Sequence, residues 1–144
     1  MLQIRPVKLN DEELKTITEL SIELGYQADV SSTLSRLQQI LSHDEHLVLV
    51  AEYDAEVVGW IHACYCMRVE SDAFVEICGL VVSSKSRGLG IAKQLIEVCK
   101  SWASKFKVSK LRVRSNVQRI EAHAFYPKLG FKASKDSRVY DLPI

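Results

Sequence analysis

Two stretches carry residues whose types and spacing could do chemistry. The first is Lys85-Ser86-Arg87-Gly88-Leu89-Gly90, a basic turn with two glycines. It follows the apolar run Phe74 to Val82 and precedes an apolar-periodic segment from Ile91. A strand that enters such a turn and leaves it as a helix makes an anion site. The first N–H groups of a helix lack partners within it, its dipole favours negative charge, and glycines let the backbone close on phosphate oxygens. The turn therefore predicts a phosphate-bearing ligand. It is not a Walker A loop, because no Lys-Ser or Lys-Thr follows the second glycine, nor a Rossmann fingerprint, because the third glycine is missing. The second stretch, Arg119 to Phe131 (RIEAHAFYPKLGF), puts Arg119, His123 and Tyr126 at i, i+4 and i+7 on one helical face. One acid, Glu76, interrupts the apolar run between Phe74 and Val82.

Composition sets the frame for these residues. The 144 residues suit a single domain, 1–144, with 47% hydrophobic and 26% charged residues. No apolar run approaches the roughly 18 residues of a membrane span, and the N-terminus lacks the h-region of a signal peptide, so a cytoplasmic protein is expected. Cys64, Cys66, Cys78 and Cys99 all fall inside strand or helix segments. They read as buried free thiols, with Cys64 and Cys66 on one strand face rather than at zinc-knuckle spacing, and no metal is expected. The net charge of +1 hides a division: five basic and fourteen acidic residues precede Ser84, against fourteen and four after it. A basic half suits an anionic ligand and an acidic half a cationic one. Nucleic acid is excluded as a partner, since the basic half lacks interleaved aromatics and a recognition-helix pattern.

The elements that must position these residues follow in order. Leu2 to Val7 alternates as an edge strand. Asn10 caps a helix that Gly25 stops, and Glu13 completes a capping-box-like pair. A second helix starts near Ser31 or Ser32, its stripe being Leu34, Leu37, Ile40 and Leu41. His46 to Tyr53 and Val57 to Val69 form a hairpin about Asp54-Ala55-Glu56. The Phe74 strand and the helix after Gly90 follow, then Lys110 to Val113, a helix over Arg119 to Leu129 closed by Gly130, and strands at Phe131 and Val139 to Leu142. An α/β (α+β) domain results, with a mostly antiparallel sheet of six to seven strands and four helices.

At this point the sequence resembles the GNAT superfamily of acetyl-CoA-dependent N-acetyltransferases. Its first signature, Gln/Arg-x-x-Gly-x-Gly/Ala between strand and helix, stands as Lys85 to Gly90, with Lys85 replacing the usual residue. Its second stands as Ala122, Phe125-Tyr126 and Leu129-Gly130-Phe131. The Arg119, Ala122, His123, Phe125, Tyr126 variant is similar to the branch holding aminoalkylphosphonate and aminoglycoside acetyltransferases.

The resemblance implies the following roles. Acetyl-CoA is the donor, its pyrophosphate on the amides of Arg87, Gly88, Leu89, Gly90, Ile91 and Ala92, and its pantetheine arm on the main chain of Leu80 and Val82. The N–H of Val81 or Val82 stabilises the oxyanion, at a bulge that splays the Phe74 strand from its neighbour. Asn116 contacts the cofactor. Glu76 is the base that deprotonates an amine otherwise held as ammonium, and partial burial would tune it for that task. Other members place an acid three residues later, where this chain has Gly79. Tyr126 donates the proton to the departing thiolate. His123 either relays a proton or makes a structural hydrogen bond, and His62 is a candidate for the acceptor cleft. Tyr26, Asp29, Glu70, Asp72 and Glu76 are expected to line that cleft, which points to a cationic small-molecule amine. Arg114, Lys110 and Arg112 read as solvated charge rather than a phosphate clamp. A protein or peptide acceptor, and a non-catalytic acetyl-CoA-binding module, stay open as alternatives, as does a homodimer.

Overall fold

Among the described residues, alternating β-branched and apolar residues build five strands, and 3.6-residue periodicity builds four α-helices. The computed structural model describes residues 1–115 and 120–144. They fall into two compact units, Met1–Val113 and Arg114–Ile144.

The first unit runs β1 (Leu2–Pro6), α1 (Asp11–Glu23), α2 (Val30–Leu41), β2 (His46–Tyr53), β3 (Glu56–Cys66), β4 (Phe74–Val82), α3 (Ile91–Ala103) and β5 (Leu111–Val113), with 3-10 turns at Ser84–Ser86 and Ser104–Phe106. The strands lie in sequence order. β1 to β4 pair antiparallel, and β5 joins β4 in parallel after the α3 crossover. Val48, Val50 and Trp60 meet Leu14 and Ile17 of α1 and Leu37 of α2 on one face. Ile61, Ala63, Val75 and Ile77 are buried on the other, where α3 supplies Leu95, Cys99 and Ala103. Continuous apolar runs in β2 to β4 reflect this two-sided cover.

The caps form where the residue types require them, with two differences. Asn10 Oδ1 accepts from the Glu13 N–H at 2.9 Å. The Glu13 carboxylate does not close the expected box. It binds Arg5 instead, Nη2 to Oε1 at 2.6 Å and Nη1 to Oε2 at 3.3 Å, and accepts from the Lys8 N–H. Arg5 and Glu13 side chains are only 12% and 5% exposed, so a charge partner outweighs a local cap. α2 starts at Val30, just before the expected Ser31 or Ser32, and Asp29 caps it, accepting from the Ser32 N–H at 2.7 Å in a full capping box.

The sheet also departs from expectation at two places. β3 stops at Cys66 rather than Val69, because β2 begins opposite Cys64 and β4 opposite Cys66, leaving nothing to pair with beyond. Five strands, not six or seven, occur among the described residues, since 131–144 carries none. Val139, Tyr140 and Leu142 are 83%, 83% and 85% exposed. Their alternation has no half-buried pleated surface to fit, and β-propensity without one does not make a strand.

The second unit contains α4 (Ile120–Lys128). Gly130, at φ +94°, lets the chain fold back so that the Leu129 and Phe131 N–H groups both reach the Tyr126 carbonyl, at 3.0 and 3.2 Å.

Candidate active site

The geometry of β4 follows from its register with β3. Trp60 pairs with Val81 and His62 with Gly79, but Ala63 pairs with Ile77, so Cys78 is an extra, bulged residue. The Ser83 N–H donates to the Val58 carbonyl at 2.7 Å, which fixes the phase of the ladder. In antiparallel pairing, alternate residues exchange hydrogen bonds. Val81 therefore turns its main-chain groups toward β3, while Leu80 and Val82 turn theirs away. On that other side β5 covers only Val75 to Ile77. Among the described residues the edge of β4 from Leu80 to Val82 thus has no strand beside it. The expected bulge exists, three residues earlier than Val81. Of the two oxyanion candidates, Val82 is the one whose N–H faces the open edge.

Beyond β4 the chain makes the turn expected to bind an anion. Gly88 and Gly90 adopt φ +82° and +74°, left-handed conformations that favour glycine, and a Cβ at either would meet nothing within 4 Å. Gly90 is the N-cap of α3 and its carbonyl accepts the first helical bond, from Gln94 at 3.1 Å. The N–H groups of Ile91 and Ala92 consequently lie in the unpaired first turn. Arg87 and Leu89 are exposed beside them. The open strand edge, the two left-handed glycines and the unpaired amides suit a thioester arm followed by a pyrophosphate, so this segment fits acetyl-CoA.

Glu76 is half-buried, opposite Cys64 on β3 and Arg112 on β5. Gly79 stands where a second acid would be, and the space is filled: Cζ3 and Cη2 of Trp60 lie 2.7 Å from the Cβ that another residue would carry. The indole Nε1 is buried with no partner among the described residues. A glycine within an apolar strand was the signal for this close approach.

The thiols differ from expectation. Cys99 is buried, Cys64 and Cys66 are partly so, and Cys78 is exposed. Cys64 and Cys66 share a face as expected, Sγ to Sγ 3.6 Å, and the bulge brings Cys78 to 3.2 Å from Cys64, which sequence reasoning missed. Burial pushes the Cys64 thiol up to about 11 and raises Cys66 and Cys78 as well, so these are neutral thiols near pH 7. His62 lies beside this group, its Nε2 2.9 Å from Nδ1 of His46, with the rings stacked at 5.2 Å. Burial, with the His46 charge second, lowers its pKa to about 4, so His62 is neutral near pH 7.

The proposed acceptor acids are dispersed. Asp29 caps α2, and that hydrogen bonding lowers its pKa. Tyr26, Glu70 and Asp72 are exposed. Glu12, Glu19, Glu23, Glu52 and Glu56 line a cavity of about 620 Å³ at the Val82 end of β4, away from Phe74. In the second unit Tyr126 is half-buried, edge-on to Phe125 and Phe131 at 5.2 and 5.6 Å, and His123 is exposed. Pro127 lies within α4 as expected. Asn116 and Arg119 lie outside the described residues.

Comparison with known proteins gives the class. Residues 14–131 match the acetyltransferase (GNAT) family. Among curated relatives, a 5-NmdU N-acetyltransferase of Pseudomonas phage PaMx11 is 28% identical over 127 residues, covering 88% of this chain and 85% of its own length. An aminoglycoside N(6')-acetyltransferase of Acinetobacter haemolyticus is 24% identical, covering 93% of each. Among solved structures, an aminoglycoside 6'-N-acetyltransferase from Acinetobacter baumannii shares the fold, with TM-score 0.87 at 19% identity over 100% of this chain and 99% of that one. Another, from Acinetobacter haemolyticus, has TM-score 0.85 at 22% identity over 99% of each. The chain belongs to the acetyltransferase (GNAT) family of acetyl-CoA-dependent N-acetyltransferases, and acetyl-CoA is its acetyl donor.

Proposed function

We propose that the protein acetylates the primary amine of a small molecule by direct attack within a ternary complex. The carrying observation is the continuity of β4, turn and α3. One segment offers Glu76, an open main-chain edge at Leu80 and Val82, and the unpaired amides of the α3 N-terminus.

Each residue has a defined task. The turn from Arg87 to Ala92 holds the pyrophosphate and neutralises its charge. Leu80 and Val82 hold the pantetheine amides as an added strand would be held. Glu76, directly or through a water, takes a proton from the ammonium, freeing the nitrogen pair to attack the thioester carbon. The Val82 N–H stabilises the resulting oxyanion, with Val81 the alternative donor. When the C–S bond breaks, Tyr126 gives its phenolic proton to the thiolate and regains one from the second proton that the newly acylated nitrogen sheds, and Asn116 supports the cofactor. Tyr26 and Asp29 border the acceptor side. The acceptor arrives cationic at its amine. Relatives named for an aminoglycoside and for 5-NmdU support a small amine and leave its remaining chemistry open. Free thiols and use of acetyl-CoA support a cytoplasmic setting. No described helix is long and apolar enough to cross a membrane.

The test is thiol release from acetyl-CoA against polyamines, aminoglycosides, aminoalkylphosphonates and lysine or N-terminal peptides. Turnover with small amines is expected, and turnover confined to peptides would overturn the small-molecule reading.

A further inference from the structure

The bulge in β4 brings together two thiols that regular pairing would keep apart. Cys64 lies opposite Glu76, so an unbulged ladder would set Cys78 on its diagonal, with about 7–8 Å between Cα atoms. The extra residue instead holds the two Sγ atoms at 3.2 Å. Disulfide sulfurs sit about 2.05 Å apart, so small side-chain rotations would close this pair. Cys66 is the poorer partner for Cys64, although its Sγ lies 3.6 Å away. Residues i and i+2 of one extended strand are about 6.6 Å apart, near the upper limit that a disulfide spans, and their side chains run parallel.

The pair is reachable and adjoins the proposed base. Cys78 is exposed, Cys64 is partly buried, and Cys99 is buried on α3. The Cys78 thiol donates toward the Glu76 carbonyl at 3.6 Å, and the Glu76 charge is among the causes that raise Cys64, Cys66 and Cys78. Cys78 also lies between Glu76 and the open edge that begins at Leu80. A bond across the bulge would fix Cys78 against β3 and reset both neighbours.

We propose that Cys64 and Cys78 are a redox modification site, closing to a reversible disulfide when the protein meets a peroxide, and that the closed form slows acetyl transfer. The Cys78 sulfur, as thiolate, attacks one peroxide oxygen. The O–O bond breaks, and the other oxygen leaves as water with the proton that Cys78 released, which makes Cys78 a sulfenic acid. The Cys64 sulfur then attacks the Cys78 sulfur, the S–O bond breaks, and hydroxide leaves with the Cys64 proton as a second water. Two thiols lose two electrons in all, and one peroxide is reduced to two waters. A small thiol reverses the bond by exchange. Burial keeps these thiols protonated near pH 7, so the reaction is slow at rest and answers an excess of oxidant. The slowing rests on the acetyl-transfer reading, whereas the disulfide rests on the sulfur geometry.

The test treats the parent with excess hydrogen peroxide, blocks the remaining thiols with iodoacetamide and maps the peptides by mass. A Cys64–Cys78 cross-link is expected, with the unblocked protein about 2 Da lighter, Cys66 and Cys99 alkylated, and all four thiols restored by dithiothreitol. A cross-link to Cys66, a cross-link between two chains, or oxygen added at Cys78 without any cross-link overturns the site. Turnover, read as acetylated product, should fall about tenfold or more in the oxidised parent and return after dithiothreitol. Cys78→Ser should keep its turnover through the same treatment. Full turnover in the cross-linked parent, or an equal loss in Cys78→Ser, overturns the slowing. If the reduced parent acetylates no amine, the acetyl-transfer reading falls instead, and the peptide map alone decides the site.

Discussion

At the scale of single residues, Glu76 and Tyr126 are proposed to divide the proton traffic, and their variants separate cleanly. Tyr126→Phe should lower kcat about a hundredfold with acetyl-CoA affinity little changed, measured by thiol release and by equilibrium titration. Glu76→Gln should lose a similar factor near pH 7 and recover as pH rises toward the amine's own pKa, where no base is needed. Unchanged turnover in either variant removes that residue from the mechanism. Gly79 bears on the same question, because the Trp60 ring occupies the room of any side chain there. Gly79→Asp should therefore destabilise the protein by about 2 kcal/mol, from overpacking, and should not rescue Glu76→Gln. A stable, active Gly79→Asp/Glu76→Gln double variant would show that the strand can take its base at either position.

Individual elements carry their own tests. The β2–β3 turn places Asp54 at φ +50° and Ala55 at φ +68°, a two-residue hairpin turn whose second position favours glycine. Ala55→Gly should stabilise the fold by about 1 kcal/mol, read as a higher midpoint in urea. Between β1 and α1 the nearly buried Arg5–Glu13 pair works in the opposite direction. Glu13→Ala leaves the guanidinium with Glu52, at 3.5 Å, as its remaining charge partner and the Pro6 carbonyl as an acceptor, and should cost about 3 kcal/mol. The Asn10 cap was legible because an Asn before an apolar-periodic run has one economical use. The partner of Glu13 was not, because Arg5 reaches it only once β1 lies against α1, and no local spacing encodes that approach.

For the whole molecule, one contribution to acid stability comes from His62, stacked on His46. His62 has a folded pKa of about 4 against 6.5 unfolded, so between these values the unfolded chain binds the extra proton. Its contribution is complete above pH 6.5 and is lost as pH falls toward 4. Thermal midpoints from pH 7 to 4.5 should drop in the parent, and the drop should be smaller in His62→Gln; an equal drop in both would place the acid sensitivity elsewhere. The raised cysteines act at the other extreme. The unfolded chain releases thiol protons near pH 9 while Cys64 and Cys99 hold theirs to about 11, so stability falls across that window.

The donor class came from the family resemblance, whereas the residues by themselves determined the strand-turn-helix from Phe74 to Ala103 and the Tyr126 helix. Those depend on local rules: apolar period, left-handed glycines and a helix start, each readable within a few residues. The sequence also carried the division of charge, but not where the charges meet. That was decided by tertiary structure. The bulge at Cys78 gathers three thiols, the ladder phase turns Leu80 and Val82 to the open edge, and Trp60 closes the space at Gly79. Arg68, Lys110 and Arg112 lie up to 44 residues apart in the chain and come together over the Phe74 ring only because β3, β4 and β5 are neighbours in one sheet. Strand register is a long-range choice, and side chains from different strands share a face only after it is made.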